Sequence, residues 1–189
     1  MPAAELLARY ALGERDFKGV KLVGADLSGA SLGGIDLSWA ELTGVNFSHA
    51  ALQNANLSEA NLAGANLTHA NLFGVFLSGA NLNQAMLTAA NLTEADLSGA
   101  QLMQADLQDA LLHLTCLAEA ELQAANLTGA RMCGAKLWRA NLAEANLLGA
   151  DLCDVNLCEA NLCGANLEAA DTSEAVLTGA TMPPGHVHD

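Results

Sequence analysis

Leucine, or a residue in its place, returns at every fifth position from Phe17 to Met182 without a slip of frame. Of these 34 centres 29 are Leu, the exceptions being Phe17, Phe47, Met132, Thr172 and Met182. Two residues before each centre runs a second apolar column, Ala in 27 of 34 cases, and the residue between the two is Asn or Asp in 20. Positions within a unit are numbered here from −2 to +2 about its centre. Fourteen of the 17 glycines fall at +2.

Neither common element accommodates this spacing. On an α-helix a step of five residues advances about 500°, so successive leucines drift around the axis and form no stripe. On an extended strand every second leucine would face the wrong way. What remains is a short extended piece that turns the −2 and central side chains inward, followed by a bend that resets direction every five residues. Gly and small polar residues after the centre suit such a bend. No single piece buries its own face, so successive turns must stack and share backbone hydrogen bonds.

The unit of Ala, Asp or Asn, Leu and two variable residues, as in Ala65-Asn66-Leu67 and Ala165-Asn166-Leu167, strongly resembles the pentapeptide-repeat family over residues 15 to 182. The resemblance implies an all-β fold, a right-handed quadrilateral β-helix with four units and 20 residues per coil. On that expectation the chain divides into a cap at 1–14, about eight coils at 15–182 and a tail at 183–189. At about 4.8 Å per coil the rod would be about 40 Å long.

The ends need covers. Residues 3 to 12 have helical spacing, with Leu6, Leu7, Tyr10 and Ala11 expected on one apolar face and Gly13 as the stop. At the other end Pro183 and Pro184 donate no ladder hydrogen bonds and suit an edge terminator.

Charge adds a bias. Against 7 basic residues stand 21 acidic ones, a formal net charge of −14. That argues against nucleic acid or an anionic membrane as a direct partner. The N-terminus lacks the basic start and apolar run of a secretory signal, and no stretch of 18 apolar residues occurs, so the expected location is the cytoplasm. With four sides, residues 20 apart are neighbours up the rod. We call side A the one centred on Phe17, Leu37 and Leu57, and B, C and D those that follow in chain order. Sides C and D together carry nine acidic residues and one basic one, Arg131. This imbalance reads either as a duplex-like negative surface offered to a nucleic-acid-binding protein or as solubility for a chain of small side chains.

Outward apolar residues single out the corner between sides D and A. Phe73, Leu111 and Leu114 approach it from side D; Phe76, Cys116 and Trp138 lie on side A, with Lys136 and Arg139 flanking Trp138. Residues 110 to 117 depart furthest from the repeat. The group reads as a protein contact anchored by Trp138, or as a local bulge folded over its own surface. Trp39 is also outward on side A, but five coils away from Trp138.

Five cysteines, an odd number, do not form a secreted disulfide framework. Cys133 and Cys153 are vertical neighbours whose spacing is within disulfide range, with His113 below them. A straight column presents metal ligands poorly, so no metal or cofactor is expected. His49 and His69 are stacked neighbours, read as a polar surface pair. No nucleophile elbow or phosphate loop occurs, and a rod filled with Leu and Ala implies no active-site pocket, so no enzyme is expected.

Two function classes follow from the resemblance. Some members of the family mimic B-form DNA and act on type II topoisomerases such as DNA gyrase, usually with Phe at many centres and a C-terminal dimerising helix; here only Phe17 and Phe47 are central Phe and that helix is missing. The opening Glu5-Leu6-Leu7-Ala8-Arg9-Tyr10-Ala11-Leu12-Gly13-Glu14-Arg15-Asp16-Phe17 and the ending from Leu177 to Asp189 resemble those of cyanobacterial members. These include a type that influences heterocyst differentiation through contact with a regulatory protein. The expectation is therefore a scaffold, monomeric or weakly self-associating, whose partner is an unidentified protein.

Overall fold

The computed structural model describes residues 1–183, and within them the five-residue frame becomes a coil of 20 residues per turn. Every bridge between turns is parallel and pairs residue n with residue n + 20, from Asp16 with Asp36 to Asn161 with Thr181. Each bridge is a single residue long, at position −1, so the four sides are short flat pieces rather than continuous strands. The all-β expectation is met in its ladder and not in strand length, because a turn interrupts every fifth residue.

One unit accounts for the whole pattern. In residues 65–69 the Ala65 amide closes a turn to the Leu62 carbonyl (2.9 Å), Asn66 donates to Val45 of the preceding coil (2.9 Å), and Leu67 and His69 donate to Met86 (2.7 Å) and Thr88 (3.0 Å) of the next. The +1 amide, of Thr68, has no main-chain partner and donates to Oδ1 of Asn66 (3.1 Å). Buried or half-buried amides need acceptors. That requirement is the physical reason for the Asn/Asp column: a side chain two atoms short of the backbone reaches the amide two residues on. The same amide-to-carboxyl bond recurs from Ser28 to Asp26 and from Ser173 to Asp171.

The +2 residues explain the glycines. From Gly19 to Gly179 each has φ between 54° and 74°, the left-handed region. Non-glycine residues there cost about 1 kcal/mol or more relative to Gly. The rod nevertheless holds Trp39, Leu114 and three alanines in it, among others. Stacking over-determines the turn.

Inside, the −2 and central side chains form one core from Phe17 to Leu167, most at 0–1% exposure. Thr115 interrupts the Ala column and is fully buried, its hydroxyl donating to the Leu92 carbonyl at 2.8 Å. At the N-terminal end helix α1 (Ala3–Ala11) lids the first coil. Its buried face is Ala3, Leu6 and Tyr10, with the Tyr10 hydroxyl donating to the Gly33 carbonyl at 2.7 Å. Leu7 and Ala11, expected on that face, are exposed. The contact stripe is narrow because one helix crosses a coil end only a few side chains wide. Gly13, at φ 97°, takes the chain out of the helix. At the other end Thr172, a polar centre, is exposed, and Leu177 and Ala180 are half-buried. Of the expected terminator, Pro184 and the tail beyond it lie outside the described residues.

Candidate interaction surface

The register fixes how the predicted corner is laid out. Bridges join Asn71 to Asn91 to Leu111 and Phe76 to Asp96 to Cys116. Phe73 and Phe76 therefore sit two coils away from Leu111, Leu114 and Cys116, with one polar coil between them that carries Asn91, Glu94 and Asp96. The ladder stacks Arg131 on Leu111 on side D and Lys136 on Cys116 on side A. No bulge forms: the ladder runs unbroken through residues 110 to 117, with Leu112 donating to Arg131 at 2.7 Å and Leu114 to Cys133 at 3.1 Å.

Two apolar side chains there are held out into solvent. Phe76 is 51% exposed and Leu114 60%. Leu114 also occupies a left-handed turn position (φ 57°), and its side chain leans across Gly134 of the next coil. A Cβ at Gly134 would lie 2.8 Å from Leu114 Cδ2, so a side chain there would push the end of Leu114 aside. Phe73 is also exposed, while Leu111 and Cys116 are half-buried, the Cys116 thiol lying 3.1 Å from the Ser98 hydroxyl. Phe76, Leu111 and Cys116 stand at −1, where they offer no carbonyl to the +1 amide. They take the place of a group the fold uses elsewhere.

Trp138 differs from its expected role as an open anchor. It is half-buried, and the Arg139 guanidinium lies over its ring at 4.3 Å while Arg139 Nε holds Glu159 Oε2 at 2.6 Å. Lys136 remains exposed beside it. Trp39, the other tryptophan, is 66% exposed and held at φ 62°.

The cysteines are all free thiols. The Cys133 thiol is pushed up from its ordinary value, first by its hydrogen bond with Cys153, then by burial and by the charges of Asp151 and Asp154. Among the described residues no three His, Cys, Asp or Glu side chains converge as a metal site. No described helix is long and apolar enough to cross a membrane.

A concavity that the sequence pattern did not reveal lies on the opposite corner, between sides B and C. It has a volume of about 520 Å³ and is lined by Gln84, Met103, Gln104, Gln123, Ala124 and Glu144, with Asn83 and Ala143. Gln84 donates to Gln104 at 3.2 Å along one wall, and the short Ala124 and Ala143 leave the hollow. The signal was present as long amides followed by alanines at +1 and +2, but only at a spacing of 20 residues.

Against known families, the profile described as Pentapeptide repeats matches in eight copies, over residues 21–58, 40–79, 50–88, 76–109, 120–157 and 159–182. The chain belongs to the pentapeptide repeat family. The matched residues skip 110–119, the stretch that carries Leu111, Leu114 and Cys116. Among solved structures, HetL, a pentapeptide repeat protein involved in heterocyst differentiation regulation from the cyanobacterium Nostoc sp. strain PCC 7120, is 37% identical over 100% of both chains, with a TM-score of 0.30. QnrB1, a plasmid-mediated fluoroquinolone resistance protein, is 20% identical, with a TM-score of 0.54 over 89% of this chain and 82% of that one. A pentapeptide repeat protein of the Arabidopsis thaliana thylakoid lumen is 30% identical over 62% of this chain and 68% of its own, with a TM-score of 0.33. A comparison with curated proteins found no match. Family membership makes the coil a right-handed β-helix.

Proposed function

We infer that this pentapeptide repeat protein is a non-catalytic scaffold of the cytoplasm that regulates a partner protein by direct contact through the corner between sides D and A. The observation that carries this reading is Leu114. It is a bulky apolar side chain, 60% exposed, in a left-handed turn where Gly would be more stable. It costs the fold on both counts, and contact with a partner is what such a side chain supplies. Full-length identity of 37% with a protein of heterocyst regulation supports the regulatory part of the reading.

Affinity capture with the wild-type chain, Leu114→Asp and Trp138→Ala tests it. Loss of the captured partner in Leu114→Asp is the expected result. Undiminished capture by folded variants overturns the assignment of the corner. The net charge of −14 favours one second reading, a DNA-mimicking modulator of a nucleic-acid-binding protein such as DNA gyrase. A supercoiling assay with purified gyrase decides it: no effect at excess protein removes that reading.

A further inference from the structure

His49 and His69 occupy the same +2 position on adjacent coils of side C. Their rings are stacked, with centroids 5.0 Å apart and planes inclined by 19°. The backbone beneath them is fixed: His49 donates to Thr68 at 2.9 Å and His69 to Thr88 at 3.0 Å, and both residues hold φ near +60°. Both side chains are exposed. Above and below in the same column are Gly29 and Ala89, so nothing crowds the pair. The columns on either side supply Ser48 and Thr68 on one flank and Ala51 and Asn71 on the other. None of these titrates or carries charge. On sides B and C the single cation is Lys21, while the chain as a whole carries −14.

We propose that His49 and His69 chelate a divalent transition-metal ion of the imidazole-preferring class, Cu²⁺, Ni²⁺ or Zn²⁺, at this corner. Metal–nitrogen bonds of about 2.0 to 2.1 Å require the two ligating nitrogens to lie about 3.3 Å apart in a tetrahedral arrangement. Turning the two exposed side chains so that their rims converge brings one nitrogen of each toward a shared ion, because the coil spacing of about 4.8 Å already holds the two backbones side by side. Solvent, or groups of a partner, complete the coordination. Cu²⁺ binds tightest in the divalent series, whereas Mg²⁺ and Ca²⁺ find no carboxylate or carbonyl set here. Each bound imidazole must be neutral, so binding competes with protons.

The test is calorimetric titration of the untagged full-length chain with Cu²⁺ and with Ni²⁺ at pH 7.5, beside His49→Gln, His69→Gln and a His186→Gln/His188→Gln double variant. Gln is chosen because Gln84 and Gln104 already occupy the equivalent turn position, at φ 59° and 56°. One site is expected, weakened at least 10-fold by either single substitution and unchanged by the double variant. Electron paramagnetic resonance of the Cu²⁺ complex should show two imidazole nitrogens, reduced to one in each single variant. Equal binding by wild type and His49→Gln, or loss only in the tail variant, overturns the proposal.

Discussion

Sides B and C and the corner between D and A share one backbone path and one register, and they spend their outward positions differently. On side C, Asn126 accepts the Thr128 amide (3.2 Å) and hydroxyl (2.7 Å) and donates to Asp106 of the preceding coil (2.8 Å). On side B, Asn161 donates to Asn141 (3.1 Å), which donates to Glu121 (2.9 Å). These columns belong to the fold. At the D–A corner the equivalent places hold Phe76, Leu111 and Cys116, which bind no amide, and the backbone ladder still closes at 2.7–3.1 Å. The difference shows that interior packing and main-chain bonds hold the coil, while an outward column contributes a smaller increment that can be given up locally for contact.

The largest effect should be the same on both regions. Leu97→Ala under the D–A corner and Leu127→Ala on side C, both fully buried, should each lower unfolding stability by about 2 to 5 kcal/mol in denaturant titration, since a stacked rod collapses poorly into a cavity. A marked inequality would break the view that the interior is uniform.

Outward substitutions should then separate the two. Asn126→Ala loses three hydrogen bonds and should cost about 1 to 2 kcal/mol. Leu111→Ala loses no side-chain hydrogen bond and should cost less than half of that. Next, Leu114→Gly should raise stability by about 1 kcal/mol through relief of the left-handed conformation, while weakening partner capture. Gly64→Ala, at φ 63° with open space around it, should lower stability by a similar amount. A stabilised Leu114→Gly that still captures its partner would dissociate the strain from the contact.

The smallest effect is in acid. Asp26 lies below the ordinary carboxylate value because the Ser28 amide and hydroxyl bond it, with Asn46 adding to them against the effect of burial; Ser173 does the same for Asp171. A depressed folded value means the contribution is complete above about pH 4 and is lost as the pH falls through the folded value. Thermal melts of Asp26→Asn and Asp171→Asn should fall less than wild type between pH 5 and pH 2. Asn keeps the amide bond, so the two should coincide with wild type in hydrogen-bond pattern at pH 7.

Much of the fold was legible in the residue pattern because one column carries one task. Leu at the centre and Ala at −2 are buried as the spacing requires, and Gly at +2 marks turns that are left-handed throughout. Asn and Asp at −1 are visible in the sequence as a preference, and their reason lies in the +1 amides that the coil leaves without a main-chain acceptor. A helix was expected over residues 3 to 12 and spans Ala3–Ala11; Leu6 and Tyr10 of its expected face pack inward, while Leu7 and Ala11 face solvent and Ala3 packs inward in their stead. At the candidate surface the side chains named from the sequence are exposed or half-buried. Phe73 and Phe76 lie across a polar coil from Leu114, and Trp138 is covered by Arg139.

The sequence alone determined the five-residue frame, the interior, the turn positions and the sign of the charge, since each depends on residues within one unit. The pairing of n with n + 20 came from the family resemblance; the tertiary structure decided how side chains 20 apart meet, as in the 5.0 Å stacking of the His49 and His69 rings, the hollow between Gln104 and Glu144, and the salt-linked Arg139 over Trp138. A period of five says which side chains face inward, and only closure of the coil places one unit above another.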